Sequence, residues 1–222
     1  MSLPDTVHVL PFEAPFGEQT MVLHPNLIEL DDGLLLVDTG FPHEIDNILA
    51  QMEDDGYDPA DIRMVFLTHQ DGDHAGGLAR LLEQVNATVL THRLGAPVVE
   101  GRAEPRVVPG DERYPPARVD VELNGGETIN TAAGPVEVIP TPGHTLDHMS
   151  LYIPDERLLI SGDALGLYGD RLDAPEEAVT EDTDLARESI GRLANRNIEQ
   201  VLCYHGGLTE QGSERLAEIA AE

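Results

Sequence analysis

The chain has 222 residues, with 42 acidic residues against 13 basic ones and a formal net charge of −29. All the basic residues are arginines, and no basic stripe exists to contact phosphates, so the composition argues against a nucleic-acid-binding protein. A hydrophobic fraction of 41% excludes a disordered chain. We therefore expect a folded protein, and predict a single domain over residues 1–222.

Short strands are the most frequent predicted elements in the first half of the chain. Residues 6–10 are predicted as an edge strand, and 11–19 as a loop because they contain two prolines and a glycine. Strands are predicted at 21–30 and 33–37, a helix at 45–52, and a buried strand at 62–67. A helix at 75–85 and a strand at 87–91 follow.

The second half repeats this pattern loosely. The least regular stretches, 95–118 and 164–182, are expected to wall a substrate pocket together with 11–19. Strands are predicted at 119–123, 127–131, 135–139, 149–153, 158–163 and 201–203, and helices at 183–195 and 209–221.

The segment 68–77 carries the clearest chemical signal. His69, Asp71, Asp73 and His74 follow a predicted strand within six residues. Imidazole and carboxylate are both ligands of divalent metals, so the segment indicates a metal-binding turn. Glycine at position 72 would permit a sharp turn, and the pair at 76–77 a close approach of another segment. The alternative is a solvated acidic turn with two incidental histidines.

Other predicted strands also end in potential ligands. His144 follows a Pro-Gly turn, Asp163 ends an apolar strand, and His205 precedes two glycines. Taken singly, each has an ordinary explanation as a turn or polar core residue. Asp38, at the end of another strand, is either a turn residue or a carboxylate that orients a ligating histidine.

Together these motifs resemble the metallo-β-lactamase superfamily, which carries a His-x-His-x-Asp-His signature after a strand and then a His, an Asp and a His downstream. The match covers nearly the whole chain in the right order. The resemblance implies an α/β fold of four layers (αββα), in which two mixed sheets pack face to face with helices on the outer faces.

The resemblance also implies two divalent metal ions, with zinc as the first choice and iron or manganese as alternatives. His69, Asp71 and His144 would bind one ion, and Asp73, His74 and His205 the other, with Asp163 shared. Asp71 replaces the second histidine of the signature. It either ligates through oxygen or only accepts a hydrogen bond, in which case one ion is lost.

The implied activity is hydrolysis of a small-molecule thioester, ester or lactone by a metal-activated water, as in glyoxalase II or lactonases. Asp73 and Asp163 are the expected catalytic residues, with Asp73 also moving a proton. Asp38, Thr68 and His148 are expected to orient the ligands, whereas Tyr168 and Tyr204 are either donors to the substrate or structural. The alternatives are a mononuclear-iron oxidoreductase, such as a persulfide dioxygenase, and a non-catalytic metal-binding protein.

Several arginines of the irregular stretches have two interpretations. They either clamp a substrate carboxylate or form ordinary ion pairs, and the second is the more frequent case on an acidic surface. The arginines concerned are Arg102, Arg106, Arg113, Arg118 and Arg171. The single cysteine, Cys203, lies in an apolar run and is expected to pack in the core rather than to act as a nucleophile.

The acidic composition without lysine resembles proteins of salt-accumulating halophiles, above all haloarchaea. Molar salt would screen the self-repulsion of such a surface. No signal peptide or membrane-length apolar run is visible, so a cytoplasmic location without membrane contact is expected. The expected partner is a small-molecule substrate, and a homodimer is compatible with the sequence.

Overall fold

A computed structural model describes residues 3–16, 19–106 and 113–222. The chain forms two compact units. The N-terminal unit contains residues 5–123, and the C-terminal unit contains residues 124–222 with residues 3 and 4. Each unit contains a six-stranded sheet with parallel and antiparallel neighbours, and each contains helices, which confirms the predicted α/β class with two mixed sheets. The prediction of a single domain stays a prediction.

The N-terminal unit alternates strands with short helices. Its strands are β1 (Val7–Val9), β2 (Phe12–Phe16), β3 (Gln19–Leu23), β4 (Asn26–Leu30), β5 (Gly33–Val37), β6 (Ile62–Phe66), β7 (Thr88–His92) and β8 (Val121–Leu123). Its helices are α1 (Ile45–Asp54), α2 (Gly72–Ala75), α3 (Leu78–Leu81) and α4 (Ala96–Val99), with a 3₁₀ turn at Pro59–Asp61.

Parallel pairing places two functional segments of this unit at one sheet edge. The sheet order is β1-β4-β5-β6-β7-β8, and β5, β6, β7 and β8 run parallel. Val37 pairs with Phe66, so the residues that follow β5 and β6 leave the sheet side by side. Asp38 and the turn beginning at Thr68 are thereby brought together, since parallel strands end at the same edge.

The predicted loop at 11–19 is wrong over most of its length. β2 and β3 form a separate two-stranded ribbon in which Pro15 pairs with Thr20. A proline is tolerated there because each strand of a two-stranded ribbon pairs on one side only, so the missing backbone N–H can lie on the unpaired side. Residues 17 and 18 lie outside the described residues. The single strand predicted at 21–30 is likewise two strands, interrupted before β4 at Pro25.

The helix predicted at 75–85 is two short helices, α2 and α3. Gly76 and Gly77 separate them, and both lie in tight packing. A Cβ on Gly76 would lie 2.6 Å from Pro42, and one on Gly77 would lie 2.2 Å from the Thr39 carbonyl oxygen. The close approach predicted for this pair is therefore present. Gly72 opens α2 and is not among the residues with a left-handed backbone, so its backbone conformation does not itself require glycine.

The remaining irregular stretch of this unit, predicted at 95–118, contains the short helix α4, and its residues 107–112 lie outside the described residues.

The C-terminal unit has its own sheet and two long helices. Its strands are β9 (Thr128–Thr131), β10 (Gly134–Pro140), β11 (Met149–Ile153), β12 (Leu158–Gly162), β13 (Gly166–Tyr168), β14 (Arg171–Asp173), β15 (Gln200–Cys203) and β16 (Gly207–Thr209). Its helices are α5 (Thr183–Ala194) and α6 (Ser213–Ala221), with a 3₁₀ turn at Glu177–Val179. The stretch predicted as irregular at 164–182 thus includes a small hairpin of β13 and β14.

The sheet order of this unit is β16-β15-β12-β11-β10-β9. Its one parallel pair among the described strands joins β12 to β15, and Gly162 pairs with Cys203. The two helices and the sheet share a core that includes Leu159, Ile190, Cys203 and Leu216. Because β12 and β15 end together, Asp163 and His205 leave the sheet at the same edge.

Within the part of the chain that the structure describes, no helix is both long enough and apolar enough to cross a membrane.

Candidate metal centre

The turn after β6 buries two histidines against each other. His69 and His74 are both fully buried, and their ring centroids lie 4.0 Å apart. Asp71 immediately precedes α2, while Asp73 and His74 lie within its single turn. The turn therefore gathers two imidazoles and two carboxylates in a space that water does not reach freely.

A hydrogen-bond network fixes the orientation of both rings. The Asp38 carboxylate lies 2.8 Å from His74 Nδ1 and accepts hydrogen bonds from the Thr68 backbone N–H at 2.8 Å and from Thr68 Oγ1 at 2.8 Å. Thr68 Oγ1 is also 3.0 Å from His69 Nδ1. Because Thr68 Oγ1 donates its proton to Asp38, His69 Nδ1 is the donor in its contact with Thr68. His74 Nδ1 likewise donates to the Asp38 carboxylate, so Nε2 is the unprotonated nitrogen of both rings.

Asp38 reaches this position through an unusual backbone conformation. Its φ of 62° lies in the left-handed region, which is sparsely populated by residues other than glycine and costs free energy. The two neighbouring backbone bonds hold it there: Asp38 N–H donates to the Phe66 carbonyl at 2.9 Å, and Thr39 N–H donates to the His74 carbonyl at 2.7 Å. Asp38 therefore holds the His74 ring through Nδ1, and its predicted role in orienting a metal ligand stays a prediction.

The Nε2 atoms of the two histidines face carboxylates at a distance typical of two ligands that bind the same metal ion. His69 Nε2 lies 3.4 Å from Asp71 Oδ2, and His74 Nε2 lies 3.6 Å from Asp73 Oδ2. Two ligands bound at about 2.0–2.1 Å to a tetrahedral zinc ion are separated by about 3.3 Å. Both distances exceed the usual length of an N–H···O hydrogen bond, about 2.9–3.0 Å.

Asp71 also forms a two-point contact with Arg106. Arg106 Nε donates to Asp71 Oδ1 at 2.8 Å, and its Nη2 donates to Asp71 Oδ2. Both side chains are largely buried. Nearby, the Tyr114 hydroxyl donates to the Gln70 carbonyl at 2.7 Å, so the same irregular stretch contacts the turn twice.

In the C-terminal unit, a tight turn presents His144. Gly143 has a φ of 147°, and a Cβ there would lie within 2.5 Å of Ala186 on α5, so only glycine fits. The Gly143 N–H donates to the Thr145 carbonyl at 3.0 Å. The Pro-Gly pair thus presses the turn against α5 and buries His144.

Asp163 lies between two histidines of this unit. Its Oδ2 is 3.5 Å from His144 Nε2 and 3.2 Å from His205 Nε2. These are again separations expected of ligands on a common tetrahedral ion, about 3.3 Å. One oxygen of Asp163 thus faces the Nε2 atoms of two histidines.

His148 is held by a chain of buried hydroxyls. Its Nε2 accepts a hydrogen bond from the Asp163 backbone N–H at 2.9 Å, and its Nδ1 lies 2.8 Å from Thr141 Oγ1. Thr141 Oγ1 lies 2.9 Å from Ser150 Oγ, which donates to the Ser161 carbonyl at 2.9 Å. Nε2 is an acceptor, so Nδ1 carries the proton. Both ring nitrogens are engaged, which assigns His148 to support of Asp163.

The tyrosines that were expected near the site differ in exposure. Tyr168 is exposed, and the pKa of its hydroxyl is raised to about 12 by partial desolvation and then by the carboxylates of Glu176 and Asp163. Tyr204 is buried and meets the His205 ring edge to face, with centroids 5.3 Å apart. Tyr204 therefore packs against a candidate ligand.

The arginines considered as substrate clamps all have partners within the protein. Arg102 pairs with Glu100, Arg106 with Asp71, Arg118 with Asp120, and Arg171 with Asp173 and Glu222. Arg113 donates to the carbonyls of Val98 and Ala103. These contacts fit the ion-pair interpretation for four of the five. Cys203 is fully buried in the core of its unit, and burial raises the pKa of its thiol to about 12.

Several residues of the network had no sequence signal of their own. Thr141 follows β10, while Ser150 and Ser161 lie in β11 and β12, and only the antiparallel pairing of β10 with β11 brings the first two together. The Asp71–Arg106 contact joins residues 35 positions apart. The sequence indicated only that a buried carboxylate would need a cationic partner. Five arginines of the irregular stretches were candidates for that partner.

The donor sets of both units suit a borderline divalent cation. Each unit offers imidazole Nε2 atoms beside carboxylate oxygens at 3.2–3.6 Å. Nitrogen and oxygen ligands of this kind bind zinc, iron or manganese. The residues present therefore fit a metal-binding role.

Comparisons with known proteins agree with this chemistry. A family model described as the Metallo-beta-lactamase superfamily matches residues 26–205. The chain is 28% identical to the probable metallo-hydrolase YflN of Bacillus subtilis (strain 168), over 78% of this chain and 75% of that protein. It is 30% identical to a hydroxyacylglutathione hydrolase of Rhodopseudomonas palustris (strain BisB5), over 53% of this chain and 38% of that protein.

Solved structures show the same fold. A metallo-β-lactamase family protein of Thermus thermophilus superposes with a TM-score of 0.79 at 23% identity, over 99% of this chain and 80% of that chain. A metallo-β-lactamase of Pontibacter korlensis gives 0.75 at 17% identity, over 100% of this chain and 98% of that chain. The predicted fold is confirmed, and the chain belongs to the metallo-β-lactamase superfamily.

Proposed function

We propose that the protein is a metal-dependent hydrolase of a small-molecule thioester, ester or lactone. The observation that carries the proposal is the position of Asp163 Oδ2, 3.5 Å from His144 Nε2 and 3.2 Å from His205 Nε2. A carboxylate in this position suits a site with two neighbouring cations. Similarity to a probable metallo-hydrolase and, over part of the chain, to a hydroxyacylglutathione hydrolase supports the reaction class.

Two divalent ions are proposed, zinc first. As the family resemblance implies, His69, Asp71 and His144 would hold one ion, and Asp73, His74 and His205 the other, with Asp163 shared. When bound, the ions would lower the pKa of a water molecule toward about 7 and polarise the substrate carbonyl.

The chain's own groups would then orient the ligands and move protons. Asp38 and Thr68 keep Nε2 of His69 and His74 unprotonated and directed toward the carboxylates. Asp73 has a side chain that is 16% exposed, more than its buried neighbours, so its carboxylate can take up a proton from the attacking water and release it to solvent. His148 holds the Asp163 backbone in place.

The experiment that tests the proposal is a substrate panel with zinc-loaded protein in molar salt. Hydrolysis of a glutathione thioester of a 2-hydroxy acid, a nitrophenyl ester or a lactone is expected, with its loss after chelation and after Asp163→Asn. Asp155→Asn removes an exposed carboxylate of the same unit and should keep full activity. Oxygen consumption with a glutathione persulfide by the iron-loaded protein, without hydrolysis, would favour a persulfide dioxygenase instead. Metal binding without either activity would indicate a non-catalytic relative.

We also propose that the acidic surface is an adaptation to high salt. The charge of −29 is carried by acids spread along the chain rather than by one tail, and every cation is an arginine. Screening by molar salt would relieve the self-repulsion of such a surface. Action on a small molecule without nucleic-acid or membrane contact fits this composition, and a cytoplasmic location remains an expectation.

A further inference from the structure

The second histidine of the family signature is absent from this chain, and Asp71 stands in its place. In the structure Asp71 is not alone, because Arg106 contacts both of its oxygens. Arg106 Nε donates to Oδ1 at 2.8 Å and Nη2 donates to Oδ2, which is the two-point fork that arginine forms with a carboxylate. The Asp71 and Arg106 side chains are 7% and 14% exposed, so the contact is shielded from water.

Charge explains why such a pair is needed here. A carboxylate in place of a neutral imidazole adds one negative charge to a buried cluster that already contains Asp38 and the partly buried Asp73. A buried charge is costly unless it is paired and hydrogen-bonded. The Arg106 guanidinium is always protonated, so the Asp71–Arg106 pair has the same net charge as the imidazole it replaces.

Asp71 can still bind a metal ion while it is hydrogen-bonded to Arg106. The two oxygens of a carboxylate offer about four lone-pair positions, and the arginine fork uses one on each oxygen. Asp71 Oδ2 also lies 3.4 Å from His69 Nε2, close to the separation of about 3.3 Å expected for two ligands of a tetrahedral ion. The fork therefore fixes the carboxylate with an oxygen directed to the same region as the histidine nitrogen.

We propose that Arg106 is a positioning residue for metal binding, and that the Asp71–Arg106 pair acts as one neutral ligand in place of the signature histidine. The inference rests on the proposed function insofar as it takes this turn to bind a metal. It assigns to Arg106 a role toward Asp71 rather than toward a substrate carboxylate. It also predicts that the two residues are coupled, so that removal of Arg106 matters only while residue 71 is an aspartate.

The test is a double-mutant cycle read by zinc affinity in molar salt, using competition with a chromophoric chelator. In the wild-type background, Arg106→Gln is expected to weaken binding of one zinc equivalent by about 10–100-fold, the usual effect of removing a group that orients a ligand. In the Asp71→His background, the same change is expected to leave zinc affinity unchanged or to increase it, since an imidazole needs no compensating cation. Arg102→Gln removes a charge from the same stretch without contact to Asp71 and should not alter the affinity.

The outcomes separate this inference from the proposed function. If the wild type binds no zinc, iron or manganese, the proposed function fails. If it binds metal and Arg106→Gln binds it equally well or more tightly, the proposed function survives and the inference is overturned, because Arg106 then plays no part or withholds Asp71 from the ion. Arg106→Lys keeps the cation but loses the fork, and serves if Arg106→Gln does not fold. Its affinity should lie below that of the wild type, and wild-type affinity would overturn the orienting role.

Discussion

The backbone N–H of Asp163 donates a hydrogen bond to His148 Nε2 at 2.9 Å, and this contact gives the two residues separate roles. A nitrogen that accepts this bond is not directed at a metal, so we expect His148 to support and Asp163 to ligate. The protonated Nδ1 continues the network to Thr141 at 2.8 Å. His144 and His148 are both buried, so burial does not distinguish them. The hydrogen bonds of His148 do.

His148→Phe should destabilise the protein, although it keeps an aromatic ring at this position. It removes the partner of the buried Asp163 N–H, which costs about 1–3 kcal/mol when left unsatisfied, whereas the Thr141 hydroxyl keeps its contact with Ser150. We expect a loss of about 1–3 kcal/mol in the free energy of unfolding, measured by urea titration in molar salt, with an unchanged m-value. His43→Phe, at a histidine whose side chain is 66% exposed, is the control. Equal stability of the two variants would show that the network contributes nothing.

Asp38→Asn should weaken metal binding more than it weakens folding. Asparagine tolerates the left-handed backbone at φ 62°, so the substitution adds no backbone strain; it removes the charge and one of the two acceptor oxygens that face Thr68 and His74. We expect zinc affinity to fall by about 10–100-fold. Competition titration measures the affinity, and circular dichroism verifies the fold. Wild-type affinity would mean that Asp38 is only a turn residue.

Salt should stabilise the protein strongly. The charge of −29 repels itself over a Debye length of about 10 Å at 0.1 M salt, and this length shrinks to about 3 Å at 1 M. We expect the midpoint of thermal unfolding to rise steadily between 0.1 and 3 M KCl. Sucrose at matched osmolality provides the control, because it stabilises by exclusion without screening charge. A midpoint that does not respond to KCl would argue against adaptation to high salt.

Cys203 should resist alkylation in the folded state. Burial raises the pKa of its thiol to about 12 from an ordinary value of 9.0, so at pH 9 the folded thiol stays protonated while an unfolded one is half ionised. Since the unfolded state loses its proton first, this thiol's contribution to stability is present below pH 9 and is lost as the pH rises toward 12. Iodoacetamide at pH 9, followed by mass spectrometry, should label only denatured protein. Equally fast labelling of folded protein would contradict the burial.

Parts of this architecture follow from sequence patterns, for identifiable reasons. Asp163 and His205 each follow an apolar strand, and parallel neighbours end at the same edge, so their proximity was predictable once β12 and β15 were assigned. The same logic joined Asp38 to the turn at His69 through β5 and β6. The position of each residue at a strand end came from the sequence, whereas the parallel pairing of the strands is seen in the fold.

Other parts depend on contacts that no local pattern encodes. The ribbon of β2 and β3 was missed because Pro15 favours a loop. Proline has no backbone N–H, and only the fold shows that the pairing of β2 with β3 does not need this donor. The break between α2 and α3 lies where the Gly77 N–H donates to the carbonyl of Gly40, a residue far away in the sequence, at 2.9 Å. The identity of Asp71's partner required the fold, because Arg106 lies 35 positions away in an irregular stretch.

We propose that this chain binds two catalytic metal ions with Asp71 as a ligand, and metal content per chain tests this proposal most directly. Elemental analysis is applied to the wild type and to Asp71→Ala, both produced in medium that contains zinc and iron and purified in molar salt. We predict about two equivalents in the wild type and about one in the variant. A single iron that is bound equally by both proteins would contradict the account and direct the search to oxygen and sulfur chemistry.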